Sequence, residues 1–218
     1  MTERLYDPYT TPQGPGFISV DLTSNSPTMS NTAMSGKIHT RQVAGQKWAF
    51  SIRYPEVTKS QFQNVYLQLL KLRGRLNEIK VVLPQYREPQ NGSLHSSAGT
   101  NGNALIQVAT SGTAGVSTIS TKNWNSASFS GNELVAGDVV AFQDNKKVHI
   151  ITSMSDTGSF RQLTLFPPLT KTVAANKYLY TYEVPFYVTL KNDIQEYALG
   201  INNLYSISLD LEETGDYV

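Results

Sequence analysis

The chain has 218 residues, with 18 Lys plus Arg against 17 Asp plus Glu, a net charge of +1 and no cysteine. A balanced charge argues against a dedicated nucleic-acid binder, which would be strongly basic, and the absence of cysteine removes disulfide scaffolds, thiolate metal sites and cysteine nucleophiles. No apolar run approaches the ~20 residues of a membrane span, so no membrane insertion is expected, and the start MTERLYDPYT lacks the charged-then-apolar order of a signal peptide.

Residues 1–15 carry Pro8, Pro12, Gly14 and Pro15 and read as an extended arm. A strand is expected from Phe17 to Leu22, with Ile18, Val20 and Leu22 on one face. Residues 23–36 are rich in Ser, Thr and Asn and read as a long loop, before a second strand at about Lys37–Val43. The third strand, Gln46–Tyr54, has the cleanest period of two. It places Trp48, Phe50, Ile52 and Tyr54 on one face and Lys47, Ser51 and Arg53 on the other. Pro55 ends it. Thr58-Lys59-Ser60-Gln61 fits a capping box that opens a helix over 58–73. Phe62, Val65, Leu69 and Leu72 form its stripe. Tyr66 and Leu70 widen that stripe and Leu67 adds a third face, so cover on more than one side is expected. Gly74 suits the left-handed turn that ends a helix, with Lys71 and Arg73 in the last turn. A strand at Glu78–Leu83 stops at Pro84.

Composition shifts at residue 90 to Gly, Ser, Asn and Ala. Short strand signals then recur at 103–110, 116–121, 138–143, 147–154 and 160–166, a spacing that predicts a small barrel. Longer alternating segments return at Tyr182–Leu190, where Pro185 implies an edge or a bulge, and at Tyr205–Leu211. The expected organisation is a discontinuous β domain, 1–90 with 171–218, and a small barrel inserted at 91–170. The fold class is mainly β.

Charge is patterned although it sums to near zero. Between 37 and 90 ten basic residues, among them Arg41, Lys47 and Arg53, face three acids. The stretch 192–218 holds only acids: Asp193, Glu196, Asp210, Glu212, Glu213 and Asp216. Two readings follow. The two regions cancel within one domain, as surface pairs commonly do, or they are halves of a head-to-tail interface that closes into a ring. Arg41, Lys47, Arg53, Asp193, Glu196, Asp210 and Glu212 are the candidate contacts. Charged residues are only 16% of the chain and Ser, Thr, Asn and Gln roughly a third. Uncharged polar surface costs less to desolvate against a neighbour than charge does.

The search for chemistry finds little. His39 and His149 occupy strand patterns, and His95 lies in a Gly/Ser/Asn loop without a partner at metal-ligand spacing. No nucleophile elbow, phosphate loop or dinucleotide fingerprint is present. No catalytic residue, metal or cofactor is expected. The tyrosines of 178–187, Tyr178 and Tyr180 among them, fit a carbohydrate platform, a protein contact or a strand filled with residues of high β-propensity, and Trp124 fits a sugar contact or the barrel core.

The order of Gly45-Gln46-Lys47-Trp48-Ala49-Phe50, Tyr54-Pro55, a helix, Leu72-Arg73-Gly74-Arg75 and Val82-Leu83-Pro84 resembles the distal tail proteins of phages. The later Val135-Ala136-Gly137-Asp138, Lys147–Thr152, Leu163–Leu169 and Val184-Pro185-Phe186 are similar too, so that the likeness runs from about residue 16 to 212. Trp48, Phe50, Gly74, Pro84, Gly137 and Pro168 carry the structural part of the motif. The resemblance implies a tail-tube-like β-sandwich with one packed helix and an extra barrel of the oligonucleotide/oligosaccharide-binding kind. It implies a hexameric ring at the far end of the tail, joining the tube protein to the hub or tip around a channel that DNA crosses transiently. It further implies no catalytic activity, and a place in the virion after assembly in the host cytoplasm. The alternative is a tail-associated carbohydrate-binding module acting through Trp124, Tyr178 and Tyr180.

Overall fold

The computed structural model describes residues 3–10, 13–42, 45–90, 106–124, 134–158, 160–193, 196–200 and 202–214. Its elements are β1 (Ser19–Asn25), β2 (Thr28–Thr32), β3 (Ile38–Gln42), β4 (Lys47–Arg53), α1 (Lys59–Leu72), β5 (Ile79–Val81), β6 (Gln107–Val108), β7 (Thr118–Lys122), β8 (Val139–Phe142), β9 (Val148–Asp156), β10 (Arg161–Phe166), β11 (Leu179–Tyr180), β12 (Phe186–Leu190), β13 (Ala198–Leu199), β14 (Tyr205–Ser206) and β15 (Ser208–Glu213). The fold is mainly β with one α-helix, as the alternation predicts. Contacts divide it into two units, Met1–Lys80 with Tyr187–Thr214, and Val81–Phe186 with Gly215–Val218. The composition shift placed the divisions at 90/91 and 170/171. Residues after 170 side with the second unit because β11 pairs with β8 and the Glu183 amide donates to Arg87 O at 2.7 Å.

The first unit is built on a five-stranded sheet of order β1-β4-β15-β12-β5. Register places Leu22 and Leu211 opposite Phe50, Val20 and Leu209 opposite Ile52, and Leu190 opposite Leu211. Trp48, Phe50, Ile52, Leu190, Leu209 and Leu211 are all buried, together with Phe62, Val65, Leu69 and Leu72 of α1. Helix α1 begins at the capping box, where the Thr58 amide donates to Gln61 Oε1 at 3.3 Å. It ends with Arg73 and Gly74 both left-handed, at φ 52° and 68°. The hairpin β13–β14 covers one end of the helix: Phe62 stacks on Tyr205 at 4.2 Å, and Tyr197 packs on Phe62 and Tyr66. Leu67 and Leu70 stay exposed, so the expected extra cover reaches only part of α1.

Two segments differ from the reading of the sequence. The N-terminal arm is tied to its own unit. Leu5 is 1% exposed, its amide donates to Lys80 O at 2.8 Å, and the Lys80 amide donates to Glu3 O at 2.9 Å. From α1 the buried Gln68 accepts from the Tyr6 amide and donates to Arg4 O, and Tyr54 Oη donates to Tyr6 O at 2.9 Å. The supposed loop 23–36 contains the end of β1 and all of β2, which pairs with β3. Its Ser, Thr and Asn residues alternate without an apolar face, so period two had nothing to register.

The second unit is a six-stranded sheet of order β11-β8-β9-β10-β7-β6. A bridge between Gln107 and Tyr178 joins its two edge strands, so the sheet is nearly closed into a barrel. Val140, Phe142, Ile151, Leu163, Leu165 and Trp124 fill the interior. Gly137, at φ 102°, lies where an added Cβ would come 2.8 Å from Gln90 Nε2. Pro84 opens a short 3-10 turn after β5, and Pro168 precedes Leu169, whose amide donates to Val116 O at 2.9 Å.

Trp48→Ala empties one of the largest side chains from the sheet's buried face and is expected to destabilise the protein by ~3–5 kcal/mol. Chemical denaturation measures this; a loss under about 1 kcal/mol would place the side chain outside the core.

Candidate functional site

Strand alternation gathers four of the seven charged candidates on one polar face of the sheet. Lys47 Nζ lies 3.0 Å from Glu212 Oε1, Ser51 donates to Asp210, and Arg53 stands at the next alternate position of β4. Ion pairs this exposed contribute little to folding, which leaves the face available to a neighbour. Glu213 points the other way. It is 1% exposed and accepts from the Trp48 amide at 3.1 Å. Asp193 and Glu196 come from another segment and line one cavity with Asp210 of that face. Asp193 Oδ1 accepts from the Arg75 amide at 3.1 Å, and a Cβ added at Gly74 would come within 2.7 Å of it. Gly74 therefore serves both the left-handed turn and the close approach of Asp193. Asp216 lies outside the described residues.

Arg41 is on the β2–β3 hairpin, every residue of which is exposed. Its register sets Met29 opposite Arg41 and Asn31 opposite His39, so those four share one face. Thr28, Ser30, Thr32, Ile38, Thr40 and Gln42 form the other. An isolated two-stranded hairpin is marginal in water. One with this much free surface is the kind of element that orders fully against something else.

The barrel places the aromatic candidates differently. Trp124 is 4% exposed, its Nε1 donates to Thr121 Oγ1 at 2.9 Å, and the Arg161 guanidinium stands 4.7 Å from the ring centre. Its indole belongs to the interior, the barrel-core position of the two readings the sequence offers for it. Tyr178 is 42% exposed and Tyr180 half-buried. The neighbouring Tyr182 hydroxyl accepts from Arg87 Nη2 at 2.6 Å. His149 is fully buried with Nδ1 2.8 Å from Pro167 O, so Nδ1 carries the hydrogen, and burial pushes its pKa down to about 4. His39 is exposed on β3, and His95 lies outside the described residues. Among the described residues no three His, Asp or Glu side chains gather as metal ligands, and no helix is long and apolar enough to cross a membrane.

Residues 5–86 match the family of the N-terminal part of the A domain of distal tail protein pb9. Distal tail protein pb9 of Escherichia phage T5 is 30% identical over 219 residues, covering 97% of this chain and 99% of that protein. The chain belongs to the phage distal tail proteins. It is a structural component of the virion, in the tail. The matched stretch 5–86 takes in the tethered arm, the hairpin, β4, α1 and β5 of this distal tail protein. The residues that sequence reasoning missed are polar and buried: Asp7, Gln68, Lys147 and Glu213. No pattern of period two or 3.6 flags a polar side chain that is buried because a backbone group meets it, as the Tyr9, Tyr6 and Trp48 amides meet Asp7, Gln68 and Glu213.

The buried imidazole gives this distal tail protein a defined pH response. The folded pKa of about 4 lies below the unfolded value of 6.5, so the unfolded chain takes up the proton first. Stability from this group is full above about pH 6.5 and falls as pH drops from 6.5 to 4, by about 3 kcal/mol in all. Denaturation midpoints across that window measure it. His149→Asn keeps a donor for Pro167 O and removes the titration, so its slope should flatten; an unchanged slope would assign the effect to other groups.

Proposed function

We propose that copies of this distal tail protein close into a ring, six-fold as the family likeness implies, at the far end of the tail. The ring joins the tail tube protein to the hub or tip protein and surrounds a channel through which DNA passes without being held. The role is structural and not catalytic, and assembly takes place in the host cytoplasm before the protein is locked into the virion. The observation that carries this reading is the β2–β3 hairpin, a ten-residue ribbon exposed on both faces in a single copy. A ring wall also calls for two different adhesive surfaces on each subunit. The exposed hairpin with Arg41, and the acidic cavity rim of Asp193, Glu196 and Asp210, supply candidates for them. Few charges and many small polar groups keep the desolvation cost of such contacts low. The inward-facing Trp124 favours the structural role over the sugar-binding one.

Sedimentation across a range of concentration tests the reading. The full chain should associate with rising concentration, and more weakly at high salt because charged surfaces contribute. A chain with 28–42 replaced by Gly-Gly should keep its melting temperature and lose association. A stable monomer at high concentration, even with tail tube protein added, would contradict the proposal.

A further inference from the structure

The pairing of β12 with β15 ends where the Lys191 amide donates to Asp210 O at 2.9 Å. Beyond that bond a cavity of about 670 Å³ opens beside α1. Its lining is mostly polar, with an apolar share from Tyr66 and Leu69 of the helix and from Leu190 and Leu209 of the strands. Its rim carries three carboxylates, Asp193, Glu196 and Asp210, against two cations, Arg75 and Lys191, a net charge of −1 from the side chains that line it. Asp193 is fixed there by the Arg75 amide. An occupant that suits this site has an apolar end and a positive charge a few ångströms behind it.

The same chain displays that combination. At the tip of the β2–β3 hairpin the Ala33 amide donates to Lys37 O and the Gly36 amide to Ala33 O, both at 2.9 Å, with Gly36 at φ 78°. This turn holds Met34 out as a fully exposed knob, with Lys37 across the turn from it. An unbranched thioether adapts to a small, irregular apolar patch such as the one Tyr66 and the leucines offer. The whole stretch between Asp21 and Glu56 lacks acidic residues and carries Lys37, Arg41, Lys47 and Arg53. From Asn25, the end of β1, to Met34 is nine residues, a reach of about 30 Å if extended.

We propose that the Met34–Lys37 tip of one copy seats in the cavity rimmed by Asp193, Glu196 and Asp210 on the next copy. The proposal rests on the self-assembly argued above and names the surfaces that meet. Tip and cavity are different patches, so the contact is heterologous and each copy both gives a tip and receives one, which is the condition for a ring.

The absence of cysteine makes the test clean. Met34→Cys combined with Glu196→Cys, oxidised in the assembled protein, should give a reducible ladder of covalent species beyond the dimer. The pair Met34→Cys with Thr118→Cys should not. In a second arm, Lys37→Glu should weaken association at least tenfold, and adding Glu196→Lys should restore it while the melting temperature holds. Oligomers seen by light scattering without ladder or rescue would overturn the docking and leave self-assembly standing. A disulfide confined to single chains would overturn the assignment to a second copy. Monomers under every condition would overturn both.

Discussion

The fold depends on β4 lying against β15. That pairing brings residues 47–53 beside residues 208–213 and sets β15 between β4 and β12. Its apolar face carries the stability and its polar face follows the register. On the polar face, Lys47 meets Glu212 and Ser51 meets Asp210; on the apolar one, Phe50 faces Leu211 and Ile52 faces Leu209, with Glu213 accepting the Trp48 amide. With the β12–β5 neighbours and the Phe62–Tyr205 contact it joins two segments separated by more than a hundred residues, and closing so long a loop has an entropic cost that only a large buried face offsets. The second unit leaves after β5 and returns at β12, and those strands are neighbours in the sheet. Its two ends therefore start about one strand spacing apart, ~4.8 Å. Such a geometry accommodates an inserted domain without disturbing the host sheet.

The same alternation that builds the core distributes the charges. A strand cannot bury Phe50 and Ile52 without turning Ser51 and Arg53 outward, so the polar face follows from the register. That face mixes charges with hydroxyls and amides, and the hairpin is mostly uncharged. In this light the near-zero net charge says little. What matters is that cations concentrate between residues 37 and 90 and acids after 192, and that Lys47 and Glu212 already cancel within one copy while Arg41, Asp193 and Glu196 sit on separate surfaces.

The central strands and the helix were legible because their apolar residues repeat at 2 or near 3.6 over several turns: Trp48 to Tyr54, Phe62 to Leu72, Leu209 to Leu211. The barrel was legible through turn spacing. The hairpin was not, because Thr, Ser and Asn give period two no contrast; nor was the tethering of the arm, because Gln68 reads as an ordinary exposed position until Arg4 and Tyr6 are placed beside it. The charged candidates were picked out by sign and segment. Their grouping needed the register, which separates Glu213 from Glu212 by a single residue and sends one into the core and the other to the surface. Trp124 was ambiguous for the same reason: an aromatic looks alike in sequence whether it stacks on a ligand or on Arg161.

Electron microscopy of the purified protein, averaged end-on, tests the central claim most directly. The account predicts closed particles with a central hole and six repeating lobes at concentrations where association is complete. Solid particles without a hole, open filaments or isolated single copies would contradict it.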